Sequence, residues 1–409
     1  MTRSTPLNLF FNSHLWVLFT GLLSACQVAD AQRGFVEFEK TTLDSSMRGG
    51  YGVEVADVDN DGLTDVIALA TNPAQFVWYR NPGWEKYSIS TVANRNIDAA
   101  PLDIDGDGDM DMVLASEFSL GDSTSGGLLH WLENPGDPMT NQNWEMHYID
   151  AIPTSHRVKW GDVNGDGDLE LINLPIIGRG ATGPMYDVDL PLKAYSIPPD
   201  LDVDEWPGIV LNESLQLAHG LAIHDWDGDG QEDLVTASFG GVHLFQLATQ
   251  GRPVFQRQLG LGLQNRERPG IGSSEVDIGY LNNNDRFLAT VEPWHGNQVV
   301  VYSGAAAADG LLNRLVIDTG FANGHGLLTA DLDNDGNDEI VAGGRSEPYQ
   351  LAIFRFLGSD RGWQRIALDD GDVAVSGLAI ADLNADGYDD IVAIGAGTSN
   401  VVYYENTGQ

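Results

Sequence analysis

One acidic unit, apolar-Ala/Gly-Asp-x-Asp/Asn-x-Asp-Gly-x-x-Asp/Glu, recurs along this chain and restricts its fold more than any other feature. Good copies begin at Asp57, Asp103, Asp162, Asp225, Asp331 and Asp382. A degenerate copy, GYLNNNDRFLATVE at Gly279–Glu292, keeps the apolar pattern and loses the acids. Regular recurrence at this spacing marks stacked supersecondary units, and the chain holds seven of them.

Each unit reads as four strands, from short β-branched and aromatic runs between Gly, Asn and Pro turns. In the first unit these are Tyr51–Ala56, Thr64–Ala70, Phe76–Arg80 and Trp84–Ser90. The third strand returns as LLHWLENPG and VVYYENTG, the fourth as WEMHYID and WQRIALD. Seven four-stranded units predict an all-β fold, a seven-bladed β-propeller. Its blades begin near residues 51, 97, 156, 219, 274, 325 and 376, within a propeller spanning 35–409. The last unit stops after its third strand, whereas Phe35–Asp44 (FVEFEKTTLD) precedes the first with the pattern of a fourth. That N-terminal strand is expected on the outer edge of blade seven, closing the ring. An open solenoid would leave the missing strand unexplained. Insertions at Pro175–Glu205 and Asn265–Ser274 are candidate pocket walls.

The sequence starts with a largely apolar run behind Arg3 that ends LLSAC at Leu22–Cys26. This resembles a bacterial lipoprotein signal over 1–25, with Cys26 as the acylated residue and 26–34 as a tether. An ordinary secretory signal cut after Ala29 or Ala31 is the alternative. Either implies an extracytoplasmic, periplasmic or cell-surface protein, and no second stretch could span a bilayer. With 60 acidic and 21 basic residues, the net charge of −39 excludes nucleic acid and anionic lipid surfaces as partners. Cys26 is the only cysteine, which removes disulfides and thiol catalysis; no GxSxG, Walker loop or dinucleotide fingerprint is present.

The acids concentrate in the repeat. Carboxylates at loop positions 1, 3, 5 and 9, with Gly at 6, make the first part of a calcium loop. The expected ligands are Asp57, Asp59, Asp61 and Asp65; Asp103, Asp105, Asp107 and Asp111; and Asp162, Asn164, Asp166 and Glu170. They continue with Asp225, Asp227, Asp229 and Asp233; Asp331, Asp333, Asp335 and Glu339; and Asp382, Asn384, Asp386 and Asp390. Up to six structural calcium ions are expected, and so is calcium-dependent stability. The repeat resembles the calcium-binding repeats called FG-GAP or VCBS, which are specific for the fold and carry little information on function.

His156, His219 and His325 each stand six residues before the first loop Asp, at the start of the innermost strand. Three blades thus aim imidazoles at one axis, where they could hold zinc or another divalent ion, or supply a general base. Tyr51, Ile97, Ser274 and Ser376 occupy the same place in the other units. The degenerate unit contributes EPWHGN, in which His295 is a fourth imidazole, Glu292 a candidate orienting or ligating acid and Trp294 a sugar-stacking surface. Arg345 and Glu117 end second strands on the same rim. Tyr186 and Tyr195 are candidate proton donors or platforms in the large insertion. Strand alternation from His156 gives Arg157 and Lys159 little weight.

The strings HRVKWGDVNGDGDLELINLPIIGRG, HGLAIHDWDGDGQEDLVTASFGGVHLF, GSSEV and ATVEPWHGNQVVVY resemble the propeller domain of the aldos-2-ulose dehydratases over most of units three to six. The resemblance implies elimination of water from a keto-sugar with a catalytic metal, and marks His156, His219, Glu292, His295 and His325 as the site. Those relatives carry additional cupin domains, so cupin-dependent steps and dimer contacts are not implied. The fold also resembles seven-bladed lyases of uronate-containing polysaccharides, whose histidine–tyrosine chemistry is again β-elimination. The expected activity is therefore a carbon–oxygen lyase or dehydratase acting on a keto-sugar or an anionic, uronate-containing oligosaccharide. The alternative is a non-enzymatic carbohydrate-binding or adhesion propeller.

Overall fold

A computed structural model describes residues 35–248, 252–282 and 285–408; the expected signal and tether lie outside them. The strands form seven four-stranded antiparallel sheets arranged as blades, and these residues contain no helix. In blade one the strands run Gly50–Ala56, Asp65–Thr71, Ala74–Arg80 and Glu85–Ser90. The ring closes as the N-terminal pattern predicts. Phe38–Asp44 pairs antiparallel with the last strand, Asn400–Asn406, from Phe38 opposite Asn406 to Thr41 opposite Tyr403.

Second strands are buried from end to end because neighbouring blades cover both of their faces. Asp111–Ser116, Asp233–Ser238 and Asp390–Gly395 are buried at every position. Side chains of adjacent blades interlock between the sheets: Val53, Val66, Ala68 and Tyr79 of blade one pack with Val392, Ile394, Val401 and Tyr403 of blade seven.

The repeat motif also fastens blade to blade. The acid at loop position 9 opens the second strand and is buried, and one of its oxygens accepts the N–H of loop position 2. Asp65 accepts from Val58 at 2.9 Å, Asp111 from Ile104 at 3.0 Å and Asp390 from Leu383 at 3.0 Å. Its other oxygen accepts the N–H of the Asn that follows the third strand, at 2.8 Å from Asn81, 2.7 Å from Asn134 and 2.7 Å from Asn406. Each of these Asn side chains then donates to a carbonyl of the preceding blade. Asn81 reaches Leu383 at 2.6 Å, Asn134 reaches Val58 at 3.0 Å and Asn406 reaches Leu332 at 2.8 Å. The recurring NPG and NTG strings are thus inter-blade staples that satisfy buried backbone groups.

Candidate active site

The inner strands converge at their N-terminal ends, and a β-bulge there decides which side chains meet. The pairing register slips between Gly50 and Gly52, Ser155 and Arg157, Ala218 and Gly220, Gly324 and Gly326, and Val375 and Gly377. Tyr51, His156, His219, His325 and Ser376 are therefore the extra, unpaired residues, which a bulge aims away from the sheet. The glycine after His219 is a spatial requirement: a Cβ at Gly220 would lie 2.7 Å from the Ser274 carbonyl oxygen and 2.9 Å from Glu275 Cα. This close approach brings blade five against His219.

Four imidazoles cluster at the axis. Ring centroids of His156 and His219 are 4.6 Å apart, those of His219 and His325 4.8 Å, and His295 lies 4.9 Å from both His219 and His325. His295 comes from a tight turn, closed by the Gly296 N–H on the Pro293 carbonyl at 2.7 Å, and takes φ of 47°. His219 Nε2 and His295 Nε2 face each other at 3.2 Å. His325 Nδ1 lies 2.7 Å from the Ser376 carbonyl oxygen, which can only accept, so Nδ1 carries the proton and Nε2 is bare. The Tyr51 hydroxyl sits 2.8 Å from His156 Nε2 and 3.2 Å from His325 Nε2. Burial is the largest influence holding His156, His295 and His325 well below the ordinary histidine pKa, with the Arg157 and Arg345 charges adding to it.

The carboxylate at the cluster is Glu275. Its Oε1 lies 2.7 Å from His219 Nδ1 and 2.9 Å from Arg157 Nη2. Burial would raise its pKa, but Arg157 and His219 outweigh that effect and hold it below the usual glutamate value. Beneath Tyr51 and His325 lies a cavity of about 90 Å³ whose charged lining is Glu54, Asp98, Arg157, Lys159, Glu275 and Asp277. A second cavity, of about 300 Å³, shares Glu54, Lys159 and Asp277 and reaches Trp160 and His224 at the other end of the inner strands.

Several expectations are corrected. Glu292 is fully buried and turned into its own blade, accepting from Tyr302 at 2.6 Å and from Arg314 at 2.9 and 2.6 Å. It neither orients a histidine nor joins the cluster. Arg157 and Lys159 both reach the channel, because the bulge at His156 breaks the simple alternation. The large insertion is split by a third strand, Leu190–Ser196, so Tyr195 lies inside the blade with its hydroxyl donating to Asp150 at 2.6 Å. Glu117 pairs with Arg95 at 2.8 Å. Tyr186 does reach the rim, edge-on to Trp294 at 5.9 Å, and Trp294 lies 4.5 Å from the His295 ring. Arg345 stands 5.8 Å from the Tyr51 ring centre. Tyr51 and Glu275 join the cluster although the sequence pattern does not single them out. Tyr51 occupies the repeat position of the histidines, and Glu275 directly follows it in the degenerate unit.

At the opposite end of the inner strands, loop positions 1, 3 and 5 gather their carboxylates. The groups Asp57, Asp59 and Asp61; Asp103, Asp105 and Asp107; and Asp225, Asp227 and Asp229 each bring ligand atoms within 4.8 Å of one another. Buried oxygens of Asp59, Glu170, Asp333 and Glu339 have no donor among the described residues. Burial, then repulsion from Asp59 and Asp57, pushes Asp65 up to about 7. Burial, then Asp333 and Asp335, pushes Glu339 up to about 9. His219, His295 and His325 form a separate cluster with ligand atoms within 4.8 Å; His325 holds an acceptor, the Ser376 carbonyl, at Nδ1, and the Glu275 carboxylate lies 2.7 Å from His219 Nδ1.

Comparison with known proteins agrees with this architecture. Residues 126–305 match the beta-propeller domain of aldos-2-ulose dehydratase, and residues 57–114 and 331–393 match the FG-GAP-like repeat. Aldos-2-ulose dehydratase of Phanerodontia chrysosporium is 26% identical over 316 residues, which are 71% of this chain and 33% of that protein. The chain thus spans about a third of the length of that curated relative. Among solved structures, BBS1N bound to ARL6DN superposes with a TM-score of 0.54 at 10% identity, over 91% of this chain and 96% of that one. An Agrocybe aegerita lectin recognising non-reducing terminal N-acetylglucosamine superposes with a TM-score of 0.53 at 14% identity, over 88% and 91%. These two likenesses concern the fold alone. The chain is a seven-bladed propeller related to that of a carbohydrate dehydratase.

Proposed function

We propose that this protein is a carbohydrate-active carbon–oxygen lyase working by β-elimination at the histidine cluster. The convergence of four imidazoles from four blades carries the reading. His219, His295 and His325 would hold a divalent ion such as zinc through Nε2, with Glu275 and the Ser376 carbonyl fixing two of the rings. A bound ion would supply Lewis-acid stabilisation of the charge that develops on the substrate carbonyl or carboxylate.

His156 and Tyr51 form the proton-handling pair, one proton being shared across their 2.8 Å contact. The base takes the proton from the carbon α to the carbonyl or carboxylate. The C–H electrons form the new double bond, the β C–O bond breaks, and the oxygen leaves with its electron pair. Tyr51 would protonate it. Trp294 and Tyr186 offer the apolar wall on which a sugar ring stacks. The same aromatic wall favours the second reading, a carbohydrate-binding propeller without turnover.

Calcium in the six acidic loops is the structural complement, and a lipid on Cys26 would put the reaction outside the cytoplasm. The test is mass spectrometry of keto-sugars and uronate oligosaccharides incubated with calcium-repleted, zinc-loaded protein. A product lighter by one water, or an unsaturated fragment, supports elimination. Saturable sugar binding without product supports the second reading.

A further inference from the structure

The groups at the histidine site differ in how their charges are balanced. Arg157 is neutralised by Glu275 at 2.9 Å. Arg345 is not: among the described residues no carboxylate lies within ion-pairing distance of its guanidinium, and its contact is the Tyr51 ring. Its charge nevertheless acts on all four imidazoles, each of which it disfavours protonating. His156, His219 and His325 are at most 1% exposed, whereas His295, Trp294 and Arg345 are partly exposed. A ligand approaching from the rim therefore meets Trp294, His295 and Arg345 first.

The two halves of the rim also differ. Blades two to five bury an apolar cluster that includes Ile177, Phe239 and Ile271, and Phe118, Tyr186 and Trp294 pack against it partly exposed. Arg345, from blade six, faces the site without such cover. A guanidinium that lies against the Tyr51 ring beside the imidazoles, with no carboxylate partner, has an unfilled demand for a planar anion.

We propose that Arg345 is a carboxylate subsite and that the substrate is a uronate-type sugar, its ring against Trp294 and its carboxylate on the guanidinium. This rests on the carbohydrate reading above and narrows it. Pairing would withdraw charge from the carboxylate and acidify the adjacent C–H; the proton goes to the base and the β-oxygen leaves with the C–O pair, so no redox partner is required.

The test is calorimetric binding of a uronate disaccharide and of its carboxyl-reduced, neutral counterpart to wild type, R345Q and R345K. Retention of calcium-dependent melting serves as the fold control. Wild type is expected to favour the uronate by roughly tenfold or more, R345Q to lose that preference, and R345K to recover part of it. Equal binding of the two sugars by wild type, or a preference undiminished in R345Q, overturns the proposal. The two readings fail separately. Uronate preference without turnover keeps the subsite and removes the lyase, whereas turnover confined to neutral keto-sugars keeps the lyase and removes the subsite.

Discussion

Glu275 Oε1 lies 2.7 Å from His219 Nδ1, and on the other side of the ring His219 Nε2 faces His295 Nε2 at 3.2 Å. A carboxylate on the outer nitrogen fixes the tautomer and raises the basicity of the inner one. E275Q is expected to weaken zinc or cobalt affinity at the cluster by roughly 10- to 100-fold. Calcium-dependent melting should persist. Cobalt absorption titrations measure the first, and unchanged cobalt affinity would leave Glu275 only the pairing with Arg157.

The loops predict a strong cation dependence. With carboxylates packed at positions 1, 3 and 5 and buried oxygens lacking donors, chelation should lower Tm markedly and added calcium should restore it. D225N, which removes charge from a single loop, should reduce calcium stoichiometry by one and Tm by less than full chelation does. Calorimetric titration and thermal melts check both.

The inter-blade staples predict a stability loss remote from any site. N134A leaves the carbonyls of Val58 and Met110 without the donor they now share, at 3.0 and 3.1 Å. The expected cost is about 1–3 kcal/mol, measured by denaturant unfolding in saturating calcium.

The histidine cluster sets an acid limit. Burial lowers the pKa of His156, His295 and His325 in the folded protein, so the unfolded chain binds more protons as pH falls below the ordinary value of 6.5. Their stability contribution is therefore intact above 6.5 and declines as pH drops through that value. In saturating calcium, H156Q should lose less stability than wild type between pH 6.5 and pH 5. Parallel melts of the two proteins measure the difference.

Much of the fold was legible because its signals are local. The spacing from Asp57 to Asp65 lies within one turn and strand, and the FVEFEKTTLD pattern alone supplied the missing outer strand. The offset between each histidine and its loop Asp placed three rings at one end of the inner strands. What alternation could not convey was the bulge, which lets His156 and Arg157 both reach the channel. Glu292 stood beside His295 in sequence, but Arg314 on the outer strand and Tyr302 on the third strand draw it into the blade. Glu275 faces His219 only because blades four and five pack closely at Gly220, a relation no single-unit pattern contains.

Whether the clustered imidazoles carry out elimination is decided by comparing wild type, H219A and H325A in one mass-spectrometric time course on uronate oligosaccharides and keto-sugars, each protein first shown to melt with intact calcium dependence. Dehydrated or unsaturated product is expected from wild type and is lost in both variants. Equal product from all three, or sugar binding that survives both substitutions with no product from any, would contradict it.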